Sequence, residues 1–385
     1  MLDALTLPSC NGAMYAEFML DPELIYLNHA AVSPWPERTV RAVQQFAAMN
    51  GERGAADYPA WVAVERRLRA RLAWLIGVSD VDGIALVKNT SEGLSLLAYG
   101  LDWRAGDSVV IPDGEFPSNR LVWQSLVARG VRLIEVDIGG TDPETALLAA
   151  CDGRTRLLSV SSVQFANGFR LDVNRLGLAC RARGILFCVD AIQSLGALEF
   201  DAEACCADVV VGDGHKWMCG PEGIALFYVR DGLRQQLHLR QYGWHMVEAM
   251  GDYSRRDWQP ASSARRFEPG SPNMLGIHAL EASLSMFAEF GMEHVEQELL
   301  QRSRWLAGAI KSSRRIQLLS SSDPARQSGI VTFAIPGCDH ALLAVRLLAD
   351  GVVCAPRGGG IRFSPHFYTP MEELEQALRI VARLA

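Results

Sequence analysis

Short apolar segments and amphipathic segments alternate along the central part of the chain. The apolar segments are rich in β-branched residues and bounded by turn formers, which is typical of buried strands. They cover residues 83–87, 108–111, 132–136, 157–163, 185–189, 209–211 and 224–229. Helical patterns cover residues 91–99, 119–129, 144–150 and 173–183. This alternation predicts an α/β fold with a mostly parallel seven-stranded sheet that is covered by helices on both faces.

The segments on either side of this region have different patterns. Two helices are predicted ahead of it, over residues 36–49 and 58–76, and Trp61 and Leu68 lie on one apolar stripe of the second. Helices and short strands mix in the C-terminal part. We therefore predict an N-terminal arm over residues 1–35, a large domain over 36–273 and a smaller α+β domain over 274–385.

One lysine follows a predicted strand at the point where ligands bind in such sheets. Lys216 stands in the sequence Gly-Asp-Gly-His-Lys-Trp, between apolar segments 209–211 and 224–229. Glycines around it let the backbone approach a ligand closely. Lysines are rarely buried without a partner or a chemical role. On this stretch alone, a lysine that forms a Schiff base and an ordinary lysine in a surface turn explain the pattern equally well.

Polar residues follow the other predicted strands at the same edge of the sheet. Asp190 comes directly after segment 185–189, where its carboxylate needs a cationic or proton-donating partner unless it only caps the next helix. Thr90 and Ser91 open a helix whose N-terminus suits an anion, although an ordinary capping box fits equally well. Phe116 could stack on a planar ligand or belong to the core. Gln164 could bind a ligand or merely lie in a solvated loop.

Two further segments carry candidate ligand-binding residues. Asn28 and Ala30 belong to a run of small residues after a short strand, which allows close approach to a ligand or forms a plain loop before a helix. Arg357 and Arg362 flank three glycines near the C-terminus. An arginine suits bidentate capture of a carboxylate, and a hairpin with solvated arginines is the alternative.

Composition excludes several classes of function. The formal net charge of −7 leaves no basic footprint for nucleic acid. No apolar run is long enough to span a membrane, and residues 1–16 lack the pattern of a signal peptide. The nine cysteines have no framework spacing, which predicts reduced thiols in a cytoplasmic protein. No spacing typical of a metal site is present.

Taken together, these motifs resemble the class V aminotransferase family, which comprises enzymes of fold type I that depend on pyridoxal phosphate (PLP). The resemblance extends from Tyr26 to the C-terminal helix, with the motifs in the family's order. It implies that Lys216 forms the Schiff base with PLP and that Asp190 pairs with the pyridine nitrogen. It implies that Gln193 donates a hydrogen bond to the phenolic oxygen and that Phe116 stacks on the ring.

The resemblance also implies the remaining contacts. Thr90, Ser91 and His215 would hold the cofactor phosphate. Gln164 or Phe165 stands where the family has an asparagine that contacts the cofactor. Arg362 would bind the substrate α-carboxylate. Ser271 stands in Gly-Ser-Pro, where the family has Gly-Thr-Pro and the hydroxyl reaches the phosphate of the partner subunit. A homodimer with shared active sites is therefore expected.

Besides the position held by Gln164 or Phe165, two further features depart from the family pattern. Desulfurases carry a catalytic cysteine on a mobile loop before the arginine, but here that stretch is short and Cys354 ends an apolar strand, which predicts a structural role. Asp213 replaces a phosphate-binding serine, so its charge must be paired or turned away. The expected activity is transamination of an amino acid, with a β-lyase or an epimerase as the close alternative and a non-catalytic PLP-binding protein as a more distant one.

Overall fold

A computed structural model describes residues 16–384 of the chain. The first part of the predicted N-terminal arm, and with it most of the segment judged not to be a signal peptide, lies outside the described residues. The strands are β1 (Ile25–Tyr26), β2 (Ile84–Val87), β3 (Ser108–Pro112), β4 (Arg132–Val136), β5 (Thr155–Ser161), β6 (Leu186–Asp190), β7 (Val209–Asp213), β8 (Ala225–Val229), β9 (Gln317–Leu318), β10 (Val331–Ala334), β11 (Val352–Val353), β12 (Ala355–Arg357) and β13 (Gly360–Phe363). The helices are α1 (Glu37–Arg53), α2 (Tyr58–Leu75), α3 (Thr90–Gly100), α4 (Ser118–Gln124), α5 (Pro143–Ala150), α6 (Val173–Arg183), α7 (Asp231–Arg234), α8 (Met274–Phe290), α9 (Met292–Ser312), α10 (His340–Ala349) and α11 (Met371–Leu384).

The central sheet has seven strands in the order β2-β8-β7-β6-β5-β3-β4. Strand β8 runs antiparallel to both of its neighbours, and the other pairings are parallel. The predicted mostly parallel sheet is therefore confirmed. Because β3, β5, β6 and β7 run in one direction, the residues that follow them meet at one edge of the sheet.

Side chains of the central strands alternate between two hydrophobic cores. Val210 packs into one core, whereas Val209 and Val211 pack into the other, and all three are fully buried. Alternation with a period of two is what a pleated strand imposes. Both faces of the sheet are thus covered, which explains why these strands read as continuous apolar runs.

The C-terminal part forms a four-stranded antiparallel sheet with the order β12-β13-β10-β9 and its own hydrophobic core. The N-terminal arm joins this part because β1 pairs in parallel with β11. Helix α8 starts at Met274 and buries Ile277 and Leu280 in the first core of the central sheet. The division into three domains stays a prediction.

The helix predicted over residues 119–129 is interrupted. Helix α4 ends at Gln124, and a short 3₁₀ turn covers Val127–Arg129. Ser125 donates its hydroxyl proton to the carbonyl oxygen of Val122 over 2.6 Å, a local bond that competes with continued helix. Within residues 16–384, none of the helices combines the length and the apolar character that crossing a bilayer requires.

Candidate active site

Lys216 and Asp190 lie where two neighbouring parallel strands end. Asp190 is the last residue of β6, and β7 ends at Asp213, just before Lys216. Burial lowers the pKa of Lys216, while the Asp190 carboxylate opposes that shift. Burial also raises the pKa of Asp190, and the nearby Glu115 carboxylate raises it further. Neither group forms a salt bridge with any other residue in the described part of the chain.

Phe116 lies beside the lysine, and Phe165 packs against Phe116. The Phe116 ring centroid is 5.5 Å from Nζ of Lys216. Phe116 remains 41% exposed, so it does not belong to the core. The ring of Phe165 meets it edge-on, with centroids 5.2 Å apart. An open aromatic face next to a buried amine leaves room for a planar ring.

The N-terminus of α3 offers a buried hydroxyl that has no partner. Asn89 caps the helix by accepting the Glu92 backbone N–H over 2.9 Å. Ser91 donates its hydroxyl proton to Oγ of Ser118 over 2.8 Å. The Thr90 hydroxyl is buried and makes no hydrogen bond. The cap and the anion site are therefore compatible, since capping leaves the Thr90 hydroxyl available.

His215 lies next to the acidic residue that departs from the family pattern. Nδ1 of His215 is 3.0 Å from Oδ1 of Asp213, and both side chains are largely buried. The backbone carbonyl of His215 accepts the Ser33 N–H over 2.8 Å. Within the described residues neither Nδ1 of His215 nor Oδ1 of Asp213 makes a hydrogen bond, so both of these buried atoms still lack a partner.

The two C-terminal arginines differ in environment. Arg362, on β13, is buried, and its Nη1 donates to the carbonyl oxygen of Phe165 over 2.8 Å. Burial lowers the pKa of Arg362 to about 10, and the charge of Arg357 adds to this effect. Nε of Arg362 has no hydrogen-bond partner, and no carboxylate of the described residues pairs with this guanidinium. Arg357 is exposed on β12 and donates to the carbonyl oxygen of Pro356.

Glu115 was missed by the sequence analysis. Its buried carboxylate accepts hydrogen bonds from the backbone N–H of Ser161 at 2.6 Å, from the Ser161 hydroxyl, and from Nε2 of Gln164 at 3.2 Å. Burial raises the pKa of Glu115. The amide group of Gln164 is thus committed to Glu115. The sequence did contain a signal for Glu115, because this residue closely follows a buried strand, as Asp190 does.

The N-terminal arm reaches the same cluster. Nε2 of Gln193 donates to the carbonyl oxygen of Ala30 over 3.2 Å. Asn28 pairs with Ser364 in an isolated bridge, and its Oδ1 is buried without a partner. The structure therefore brings Asn28 and Ala30 together with residues that follow the central strands.

Two further residues from the sequence analysis have different surroundings. Ser271 is exposed and lines a cavity of about 250 Å³ together with Lys88 and Gly223. Cys354 packs at the margin of the C-terminal core, where burial raises the pKa of its thiol to about 12. The short β12–β13 hairpin follows it directly. A thiol held this way is a poor nucleophile.

One group of described residues has spacing suited to a metal ion, namely Glu65, His245 and Glu268. Arg69 already occupies it. The Arg69 guanidinium contacts Glu65 at 2.6 Å and both oxygens of Glu268 at 2.7 Å. A cation at the centre of two carboxylates makes this a structural ion-pair network.

The cluster around Lys216 fits PLP, the cofactor that the resemblance implies. The unpartnered Thr90 hydroxyl at the helix N-terminus suits the phosphate, and the open face of Phe116 suits the ring. The buried Asp190 carboxylate lacks a cation that a protonated pyridine nitrogen would supply. These three features match three different parts of one molecule.

Comparisons with known proteins agree with this fit. The family model for class V aminotransferases matches residues 25–377. A probable cysteine desulfurase of Methanothermobacter thermautotrophicus is 30% identical over 91% of this chain and 92% of its own length. The isopenicillin N epimerase of Streptomyces clavuligerus is 29% identical over 93% and 94% of the two chains.

A solved structure gives the same fold. It is a C-DES mutant with glycine covalently linked to its PLP cofactor, with a TM-score of 0.86 and 23% identity over 94% of this chain and 96% of that chain. The match of the family model covers nearly the whole described chain. The chain therefore belongs to the class V aminotransferase family, and its cofactor is PLP.

Proposed function

We propose that this enzyme is an aminotransferase acting on an α-amino acid. The observation that carries the proposal is the pairing of Lys216, a buried amine with a lowered pKa, with Arg362, a buried guanidinium that has no carboxylate partner. The first can move a proton, and the second can hold a carboxylate. An α-amino acid has both the proton and the carboxylate on one carbon.

The proposed cofactor contacts are those that the buried and unpartnered groups around Lys216 support. Thr90 and the N-terminus of α3 hold the phosphate, and Phe116 covers the ring. Asp190 keeps a proton on the pyridine nitrogen. PLP bound in this way withdraws electrons from the substrate Cα.

Lys216 supplies the acid and base. Its neutral amine would take the proton from the substrate Cα, and its ammonium form would hold that proton at Nζ for return. Arg362 fixes the carboxylate so that the Cα–H bond is presented to Lys216. Burial favours the neutral amine, which is the form that this role requires.

β-Elimination is the second candidate, because relatives include probable cysteine desulfurases. The position of Cys354 argues against a persulfide route, since its thiol is half-buried with a raised pKa. Elimination would therefore proceed through Lys216 alone. Epimerisation is the third outcome that the same residues permit.

The products distinguish these reactions. PLP-loaded protein is incubated with single amino acids, and the products are identified by mass spectrometry and chiral chromatography. Transamination yields a 2-oxo acid together with the aminated cofactor. Pyruvate and ammonia without aminated cofactor would instead establish elimination, and the enantiomer of the substrate would establish epimerisation.

The lowered pKa of Lys216 predicts how PLP attachment depends on pH. Only the neutral amine attacks the carbonyl carbon of PLP. Burial lowers the pKa of Lys216 to about 8, so the attachment rate of the cofactor-free protein should rise with pH and level off above about pH 9. Stopped-flow absorbance measures this rate. A rate that still climbs steeply above pH 9.5 would indicate an ordinary lysine, whose pKa is about 10.4.

Replacing Arg362 by lysine should lower kcat/KM for amino acids by about 100- to 1,000-fold. The reason is that lysine cannot donate the two parallel hydrogen bonds that a guanidinium donates to a carboxylate. Steady-state kinetics measures the effect. The matched control is Arg346→Lys, an exposed arginine on α10. An amine that lacks the carboxylate should react at the same slow rate with Arg362→Lys and with the natural protein. If the substitution lowers kcat/KM for that amine as much as for amino acids, Arg362 supports the fold and does not bind the carboxylate.

We also infer a homodimer. Ser271 is exposed, which supports a role toward the partner's phosphate. Exposed aromatic side chains occur close together between residues 242 and 258, including Tyr242, Tyr253 and Trp258. Surfaces of this kind favour association. Sedimentation should give a mass of about twice 42.2 kDa, and a monomeric mass would contradict the inference.

A further inference from the structure

Trp217 follows Lys216 directly, and its indole ring is completely buried. Its Nε1–H donates to Oε1 of Gln193 over 2.7 Å. The space around the tryptophan is closed. A Cβ atom at Gly329 would lie 2.5 Å from the indole ring, and one at Gly196 would lie 2.4 Å from the Trp217 carbonyl oxygen. The indole therefore has one position available.

The hydrogen bonds determine which way the Gln193 amide points. An indole N–H can only donate, so the atom that meets it must be the amide oxygen. The carbonyl oxygen of Ala30 can only accept, so the amide nitrogen faces it, at 3.2 Å. One N–H of the Gln193 amide donates to Ala30, and the second N–H is available for a ligand. Trp217 and Ala30 thus fix the amide orientation from both ends.

A buried histidine holds Trp217 from the other side. Nδ1 of His366 accepts the backbone N–H of Phe367 over 2.8 Å, so the ring proton resides on Nε2. Nε2 then donates to the carbonyl oxygen of Trp217 over 3.0 Å. His366 is fully buried, and burial keeps its pKa well below the ordinary value. The C-terminal part of the chain therefore anchors the residue next to Lys216.

We propose that Trp217 is a positioning residue, which holds the Gln193 amide so that its second N–H donates to the phenolic oxygen of PLP. The inference rests on the proposed function in one respect, namely that PLP is attached to Lys216. Without the indole donor, the amide oxygen loses its partner, and the 3.2 Å bond to Ala30 is the remaining one of the two restraints against rotation of the amide. A rotated amide would present oxygen instead of N–H to the phenolic oxygen.

The experiment measures the pH at which the visible absorbance of the bound cofactor titrates, without any substrate. A donor to the phenolic oxygen lowers the proton affinity of the bound cofactor. Trp217→Phe should therefore raise the titration midpoint by about one pH unit, as expected for loss of a hydrogen bond to a charged group. Gln193→Leu should raise it similarly, and the double variant should shift no further than Gln193→Leu alone.

Trp103→Phe is the matched control, because it removes an indole N–H that donates to the carbonyl oxygen of Ala98 away from the site. Its midpoint should equal that of the natural protein. An unchanged midpoint in Trp217→Phe, or additive shifts in the double variant, would overturn the proposal. A failed transamination assay would leave the midpoints unaffected, so the two hypotheses fail separately.

A second measurement covers the case in which Trp217→Phe does not fold. The chain has nine tryptophans, whose indole N–H signals can be followed by ¹⁵N NMR. One buried indole signal should move in Gln193→Leu because its acceptor is gone. If no indole signal moves, Trp217 does not hold Gln193 and the proposal is wrong.

Discussion

Replacing Lys216 by alanine should abolish covalent attachment of PLP and slow amino-acid turnover by at least about 10⁴-fold, the upper end of what acid–base catalysis contributes. The variant loses both the attachment point and the group that moves the Cα proton. Borohydride reduction followed by peptide mass spectrometry measures attachment, and product formation measures turnover. The fold should survive, because removing a buried amine that has no salt bridge relieves a desolvation cost.

The other two lysines of the chain, Lys88 and Lys311, serve as internal controls for this test. Lys311 is exposed on α9, so Lys311→Ala should retain full attachment and turnover. Reduced PLP found on Lys88 or Lys311 in the Lys216→Ala protein would show that attachment is unspecific. Turnover within tenfold of the natural protein would remove Lys216 from the proposed mechanism.

The arrangement of the central strands could be predicted from the sequence because it follows from local patterns. A run such as 209–211 is apolar at every position, since Val210 and its neighbours face two different cores. Parallel strands then bring the residues that follow them to one edge. Lys216, Asp190 and Thr90 were found in this way.

Other features depend on contacts between distant parts of the chain, which a pattern does not contain. Arg357 and Arg362 look alike in sequence, yet one is exposed and the other buried. Arg362 is buried because β13 pairs with β10 on one side and β12 on the other. The contact of Trp217 with Gln193 likewise joins residues from separate loops. Such pairings are fixed by the tertiary fold.

The acidic residues around the candidate site differ in their hydrogen-bond partners. The charges of Asp190 and Asp213 act on Lys216, and the charge of Glu115 acts on Asp190. The Glu115 carboxylate accepts hydrogen bonds from Ser161 and Gln164, and Oδ1 of Asp213 lies 3.0 Å from Nδ1 of His215. Among the described residues, the Asp190 side chain accepts one hydrogen bond, from the Ile192 backbone N–H at 3.1 Å. A protonated ring nitrogen would give this buried carboxylate a further partner.

Replacing Asp190 by asparagine should lower turnover by about 100- to 10,000-fold while PLP still attaches to Lys216. Removing one partner of a buried charge pair costs about 3–5 kcal/mol, and each 1.36 kcal/mol is tenfold in rate. An amide cannot hold a proton on the pyridine nitrogen, so the ring withdraws electrons less strongly. Single-turnover absorbance kinetics measures the chemical step, and reduction with mass spectrometry confirms attachment.

Asp208→Asn is the matched control for this substitution. Asp208 is a buried carboxylate just ahead of β7, at the edge of the sheet opposite to Asp190, where it accepts the Phe187 N–H over 2.8 Å and pairs with Arg230. Losing its charge should reduce the free energy of unfolding but leave the chemical step within about threefold, because it is remote from Lys216. If Asp208→Asn and Asp190→Asn slow the chemical step equally, the effect is structural. A selective loss in Asp190→Asn places the charge requirement at the ring nitrogen.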